Sequence, residues 1–133
     1  MNHFIYINKK NISDNTKLAV TEYIKRLSPY CNVKIMNTKK LSDNMLKGYN
    51  IFIGPQNDDI KTISSEDFAK KINQMSIHGI SNINYFIGYG ENIKYDEYFS
   101  VSPLDITDEI LMTAFIEQLY RAYTINNGIT YHK

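Results

Sequence analysis

Three places in the sequence could do chemistry. Gly88-Tyr89-Gly90 sets two glycines one residue apart, and a chain without Cβ atoms can take positive φ and let a ligand approach its backbone. That spacing alone fits an ordinary turn better than a cofactor loop. Glu117 and Arg121 stand four apart, so they share a face if the segment is helical. The plain reading is an exposed ion pair worth about 0.3–0.5 kcal/mol. The third place is Tyr131-His132-Lys133, which combines a ring able to stack on a base, an imidazole that titrates near neutrality and a cation for phosphate. Chain ends ordinarily fray, so this set counts only if something orders it.

The remaining candidates are weaker. His3 and His78 have no partners at metal-ligand spacing and are expected at the surface or partly buried. No metal is expected. Cys31 is the single cysteine, which excludes an intramolecular disulfide and a cysteine-cluster metal site; a small side chain after Pro29 and Tyr30 is its simplest role. Lys39-Lys40 and Lys70-Lys71 read as solvated faces. Gly-x-Ser-x-Gly, Walker and His-Glu-x-x-His signatures are all missing from the sequence, which removes the commonest hydrolase, nucleotidase and zinc-protease readings.

Composition bounds the rest. The 133 residues are 43% hydrophobic and 22% charged, enough apolar mass for one core and too little length for two ordinary domains. A single domain over 1–133 is expected. Net charge is +1, so a nucleic-acid partner would need a local basic patch. No apolar stretch is long enough for a membrane span, and Met1-Asn2-His3 runs into Phe4-Ile5-Tyr6-Ile7 without a signal-peptide layout. A cytoplasmic protein without a membrane partner is expected.

The elements that would position these residues alternate. His3 to Ile7 reads as a strand, followed by a helix from about Ser13 to Leu27 with Val20, Tyr23, Ile24 and Leu27 in one stripe. Val33 to Met36 reads as a second strand, and the polar segment from Asn37 to Lys47 allows one short helical turn. Asn50 to Ile53 is a third strand, stopped by Gly54-Pro55. Ser64 with Asp67 forms a capping pattern ahead of a helix carrying Phe68, Ile72 and Met75, which ends near Gly79. Asn84 to Ile87 is a fourth strand and Phe99-Ser100-Val101 a weaker fifth, closed by Pro103. A long helix from about Asp108 to Asn126 places Leu111, Phe115, Leu119 and Ala122 on one face. Leu111, Ile116, Leu119, Tyr120 and Tyr123 cover more than one face, which would suit an interface. Alternating strands and helices predict an α/β fold with a mostly parallel sheet. Such sheets bind ligands at the carboxyl ends of their strands, here the loops at Ile53-Gly54-Pro55, Gly88-Tyr89-Gly90 and Ser102 to Ile106.

The closing segment Ile116-Glu117-Gln118-Leu119-Tyr120-Arg121-Ala122-Tyr123, with Gly128 and Tyr131-His132-Lys133, closely resembles that of the RlmH family. These small SPOUT-class methyltransferases act on N3 of a pseudouridine in large-subunit ribosomal RNA. Thr21-Glu22-Tyr23 with Lys25-Arg26-Leu27, Ser64-Ser65-Glu66 and Phe86-Ile87-Gly88 are similar to the family's first helix, middle helix and glycine-loop strand. The resemblance covers nearly the whole chain. It implies a SPOUT-type α/β knot, a trefoil in which the carboxy-terminal part threads a loop, with S-adenosylmethionine in the knotted crevice. It implies a homodimer acting on large-subunit rRNA of the ribosome.

Carried over by position, the cofactor-contacting residues would be Ile53, Gly88, Gly90, Val101, Ser102, Pro103, Leu104, Asp105 and Ile106. Tyr131 and His132 would hold the RNA across the dimer. His132 and Arg121 would assist removal of the N3 proton or stabilise the anionic base. The sequence departs from the family at named points: Tyr89 follows Gly88 where the family reads Gly-Gly-x-x-Gly, and Thr107-Asp108 and Met112 stand where it carries Pro-His and Arg. The segment from Asn37 to Tyr49 is also reduced. Two other readings therefore stay open, a SPOUT-like dimer that binds without transferring and an unrelated flavodoxin-like nucleotide binder built on Gly88-Tyr89-Gly90.

Overall fold

The structure, a computed structural model, describes residues 1–55, 62–90, 93–102 and 106–129. Five strands form one sheet: β1 (Asn2–Ile7), β2 (Asn32–Asn37), β3 (Tyr49–Gly54), β4 (Asn82–Ile87) and β5 (Glu97–Ser100). Three helices connect or follow them: α1 (Asp14–Leu27), α2 (Ser65–Ile77) and α3 (Asp108–Asn126). The sheet order is β2-β1-β4-β3-β5 and every pairing among these strands is parallel. The polar segment before β3 does contain one short turn, a 3-10 helix at Asp43–Leu46.

Strand alternation sorts side chains between two unequal faces. Ile5, Ile7, Ile51, Ile53, Ile83, Tyr85, Ile87 and Phe99 point into the main core, which all three helices cover. Phe115 of α3 meets both Phe68 of α2 and Tyr85 of β4 there, with ring centroids 5.7 and 4.5 Å away. On the reverse face Tyr6, Phe86 and Tyr89 form a second, smaller cluster against Met36, Leu41, Met45 and Leu46. No described helix covers this side, although parallel sheets usually bury both faces. Aromatic rings and the 3-10 turn take that place. Asn84 Nδ2 anchors the turn's exit, donating to the Lys47 carbonyl at 2.7 Å and Asn50 Oδ1 at 2.9 Å.

Each α-helix begins on a side-chain cap. Ser13 Oγ accepts from Thr16 N, Ser64 Oγ from Asp67 N and Thr107 Oγ1 from Ile110 N, each worth about 1 kcal/mol. α3 packs against both α1 and α2. Consequently Leu111, Ile116, Leu119 and Tyr123, expected to serve an interface, are buried within the chain; only Tyr120 of that set is half-buried.

Other expectations need correction. The fifth strand runs Glu97–Ser100 rather than through Val101, which sits in the bend after it; the Ser100 carbonyl is taken by Ile63 N at 2.7 Å. Lys71 does not merely face solvent, because it pairs with Glu97 across to β5. His3 is fully buried, not superficial. Its Nε2 lies 2.7 Å from Tyr123 Oη and its Nδ1 2.9 Å from Tyr85 Oη. Both ring nitrogens of His3 therefore have a tyrosine hydroxyl as partner, and the Tyr123 hydroxyl also reaches Met1 Sδ at 3.6 Å. Cys31 is buried as a small side chain, and burial pushes its thiol up to about 11.

Candidate functional site

Register brings four strand exits side by side. Ile7 pairs with Ile87, Ile87 with Ile53, and Gly54 with Ser100. The loops after β1, β4, β3 and β5 therefore leave the sheet at one level, along roughly 14 Å of rim at about 4.8 Å per strand. This is the crevice expected of a parallel sheet, widened by the loop after β1. Asn8 joins it: its Nδ2 donates to the Gly88 carbonyl at 2.9 Å, and its N–H to the Ile87 carbonyl at 3.0 Å.

The glycine loop differs at its two glycines. Gly88 has φ +85°, and a Cβ there would sit 2.5 Å from Asp108 Oδ2 and 3.3 Å from Asn8 Cβ. A Cβ on Gly90 would meet nothing within 4 Å. Both glycines are exposed at the rim. Tyr89 between them is buried, with its ring edge-on to Phe86 at 6.0 Å and its hydroxyl donating to the Thr38 carbonyl. The phenol thus fills the reverse-face cluster and leaves the space beside Gly90 open. Burial, with the neighbouring Tyr6 and Tyr95 rings, pushes its hydroxyl up to about 12, so it stays protonated.

The first turn of α3 closes one side. Asp108 brings its carboxylate against Gly88. Glu109 faces the loop after β1, accepting from Lys9 Nζ at 2.6 Å and Ser13 N at 2.8 Å. The Lys9 hydrogen bond, then that of Ser13, holds the Glu109 carboxyl down to about 2. This clamp fixes the helix start beside the glycine loop. Asp108 and Asn8 were not singled out among the sequence candidates. The signal for Asn8 was its place one residue past a strand end; for Asp108 it was its place one past the Thr107 cap, where the resembled family carries the histidine of its Pro-His pair.

The candidate residues fall into separate groups. Gly88 and Gly90 lie in the rim, with Ser102 half-buried and its carbonyl accepting from Ser100 Oγ at 3.0 Å. Ile53 and Val101 are buried in the main core and Ile106 packs on it half-buried, so Ile53 and Val101 can offer a ligand only backbone and the crevice floor. Pro103, Leu104 and Asp105 lie outside the described residues, as do Tyr131 and His132. Arg121 sits thirteen residues beyond Asp108 on α3, about 20 Å away at about 1.5 Å per residue. Glu117 and Arg121 are half-buried rather than exposed.

A cavity of about 430 Å³ lies elsewhere, at the amino ends of β1 and β2, lined by residues including Asn2, His3, Cys31 and Lys34. Its histidine is spent on two tyrosines and its thiol is protonated, so it offers little for group transfer. Among the described residues no group of three or more His, Cys, Asp or Glu could hold a metal ion, and no helix is long and apolar enough to cross a membrane.

The rim fits an adenosyl cofactor in three respects. Gly90 leaves the backbone open to close approach, Ile106 offers an apolar edge, and the Asp108 carboxylate held against Gly88 complements a cationic sulfonium and ammonium. Sequence comparison agrees with this geometry. A family model described as "Predicted SPOUT methyltransferase" matches residues 1–132. Ribosomal RNA large subunit methyltransferase H 1 of Thermoanaerobacter sp. (strain X514) is 36% identical over 137 residues, covering 100% of both chains. Ribosomal RNA large subunit methyltransferase H of Dictyoglomus thermophilum is 35% identical over 152 residues, covering 99% of each. An alignment of 137 positions that spans both chains leaves the Thermoanaerobacter protein at most 137 residues long, so a chain this short is not peculiar to the present sequence. With a match from end to end and a parallel sheet whose strand exits converge on a glycine loop, the chain belongs to the SPOUT methyltransferase family and to its RlmH branch.

Proposed function

We propose that this chain methylates N3 of a pseudouridine in large-subunit ribosomal RNA, using S-adenosylmethionine, as a cytoplasmic homodimer. The reading rests on the relatives named as ribosomal RNA large subunit methyltransferases and on one observation above all: at the sheet rim the positive-φ Gly88 stands against the Asp108 carboxylate, next to a Gly90 with open space around it. The chain works as one domain over residues 1–133, its carboxy-terminal part threaded as an α/β knot.

S-adenosylmethionine supplies a methyl group made electrophilic by its sulfonium. The chain's own residues bind, align and handle the proton. Gly88, Gly90, Ser102 and the backbone at Ile53 and Val101 would hold the cofactor, together with Pro103, Leu104, Asp105 and Ile106. Asp108 opposes its positive charge. Alignment of the base nitrogen with the methyl carbon is the main catalytic contribution, because orienting two reactants can remove about 7–11 kcal/mol of barrier. His132 takes the N3 proton, Tyr131 holds the RNA, and Arg121 stabilises the anionic base. Arg121 lies about 20 Å along α3 from Asp108, so in this account it serves the site of the second copy.

Calorimetric titration with S-adenosylmethionine and its demethylated product tests the cofactor claim. Saturable micromolar binding of both supports it. A folded dimer that binds neither ligand refutes it and points to a SPOUT-like module that no longer transfers.

A further inference from the structure

Two tyrosines reach from the reverse face of the sheet to the rim of the crevice. Tyr98 of β5 donates its hydroxyl to the Pro55 carbonyl at 2.8 Å, and Tyr95 donates to the Gly90 carbonyl at 3.3 Å. Both rings pack on Phe52, with centroids 4.8 and 4.9 Å away. Tyr95 also meets Phe86 at 5.8 Å, and Phe86 stacks on Tyr6 at 5.1 Å. A ladder of rings therefore crosses the sheet beneath the rim, and its hydroxyls grip the loops after β3 and β4. Gly54 makes the first grip possible. A Cβ there would lie 2.6 Å from Tyr98 Oη and 2.7 Å from Phe52 Cε1, so a larger residue would displace the hydroxyl from Pro55.

We propose that Tyr98 and Tyr95 are positioning residues, holding the loops after β3 and β4 at the separation that receives the cofactor. The inference rests on the cofactor reading above. Its physical basis is preorganisation: a loop already held in its bound place loses less freedom on binding. No α-helix among the described elements covers the reverse face, so this ladder, together with the Tyr89 hydroxyl on the Thr38 carbonyl, ties these loops to the sheet from that side.

The test uses the full chain and S-adenosylmethionine itself. Tyr98→Phe keeps the ring on Phe52 and removes only the donor. It should weaken cofactor binding about 3- to 10-fold, the worth of one neutral hydrogen bond. Tyr95→Phe, with the longer bond, should weaken it less. Tyr49→Phe removes a hydroxyl at the opposite, amino end of β3 and should leave affinity unchanged. Ligand-free thermal midpoints of Tyr98→Phe and Tyr49→Phe should stay within about 4 °C of the parent, which separates positioning from general destabilisation. Affinity of Tyr98→Phe within twofold of the parent, or a loss matched by Tyr49→Phe, overturns the inference alone. A parent protein that does not bind overturns the cofactor reading and this inference with it.

Discussion

On mild acidification the protein should lose stability through His3. The imidazole is fully enclosed, and burial, helped by the chain's amino terminus, lowers its pKa from 6.5 to about 3. The folded protein thus refuses a proton that the unfolded chain accepts. Because the folded value is the depressed one, the stabilisation is complete above about pH 6.5 and is lost progressively as pH falls towards 3. At pH 5 the loss comes to about 2 kcal/mol. For a chain of this length that is a fall in thermal midpoint of roughly 6–12 °C between pH 7 and 5. Glu109, the carboxyl held down to about 2, gives up its stabilisation only below about pH 4.5, so it does not confuse this window. The assay is a series of thermal melts from pH 7 to 5 on the parent and on His3→Gln. The variant should be less stable throughout, since Tyr85 and Tyr123 lose their partner, but its midpoint should vary much less with pH. Equal slopes in the two proteins would refute the buried, neutral imidazole.

Other consequences can be checked alongside. Gly88→Ala forces a left-handed residue and pushes Asp108 aside, at a cost of about 1–3 kcal/mol by chemical denaturation. Gly90→Ala, with open space around it, should change stability by less than about 0.5 kcal/mol. Phe115→Ala removes a ring packed on Phe68 and Tyr85 and should cost about 3–5 kcal/mol in the same assay. Asp108→Asn should weaken S-adenosylmethionine roughly fivefold in calorimetry while leaving the thermal midpoint close to the parent's.

Periodicity carried most of the fold. Phe68, Ile72 and Met75 in one stripe and Leu111, Phe115, Leu119 and Ala122 in another are all buried, because a helix against one core face must repeat apolar residues at its own period. The β5 boundary was illegible, since Glu97 and Tyr98 do not look apolar; Glu97 is held by Lys71 from α2, a partner twenty-six residues away. His3 was misplaced for a similar reason. A histidine is tolerated in a core only with both nitrogens satisfied, and its partners are 82 and 120 residues distant. The crevice loops were found from strand ends, yet Asp108, Asn8 and Tyr98 were not, because what makes them relevant is the register that sets four loops side by side. Tyr89 stood out in sequence only as a departure from the family's glycine pattern; its orientation depends on the reverse-face cluster, which only the folded sheet creates.

Methyl transfer to ribosomal RNA can be read directly from the product. Ribosomes lacking the modification, incubated with the purified chain and methyl-labelled S-adenosylmethionine, can be digested to nucleosides and analysed by mass spectrometry. N3-methylpseudouridine is expected in large-subunit RNA, and His132→Ala should abolish it. Cofactor binding without label in any nucleoside would contradict methyl transfer.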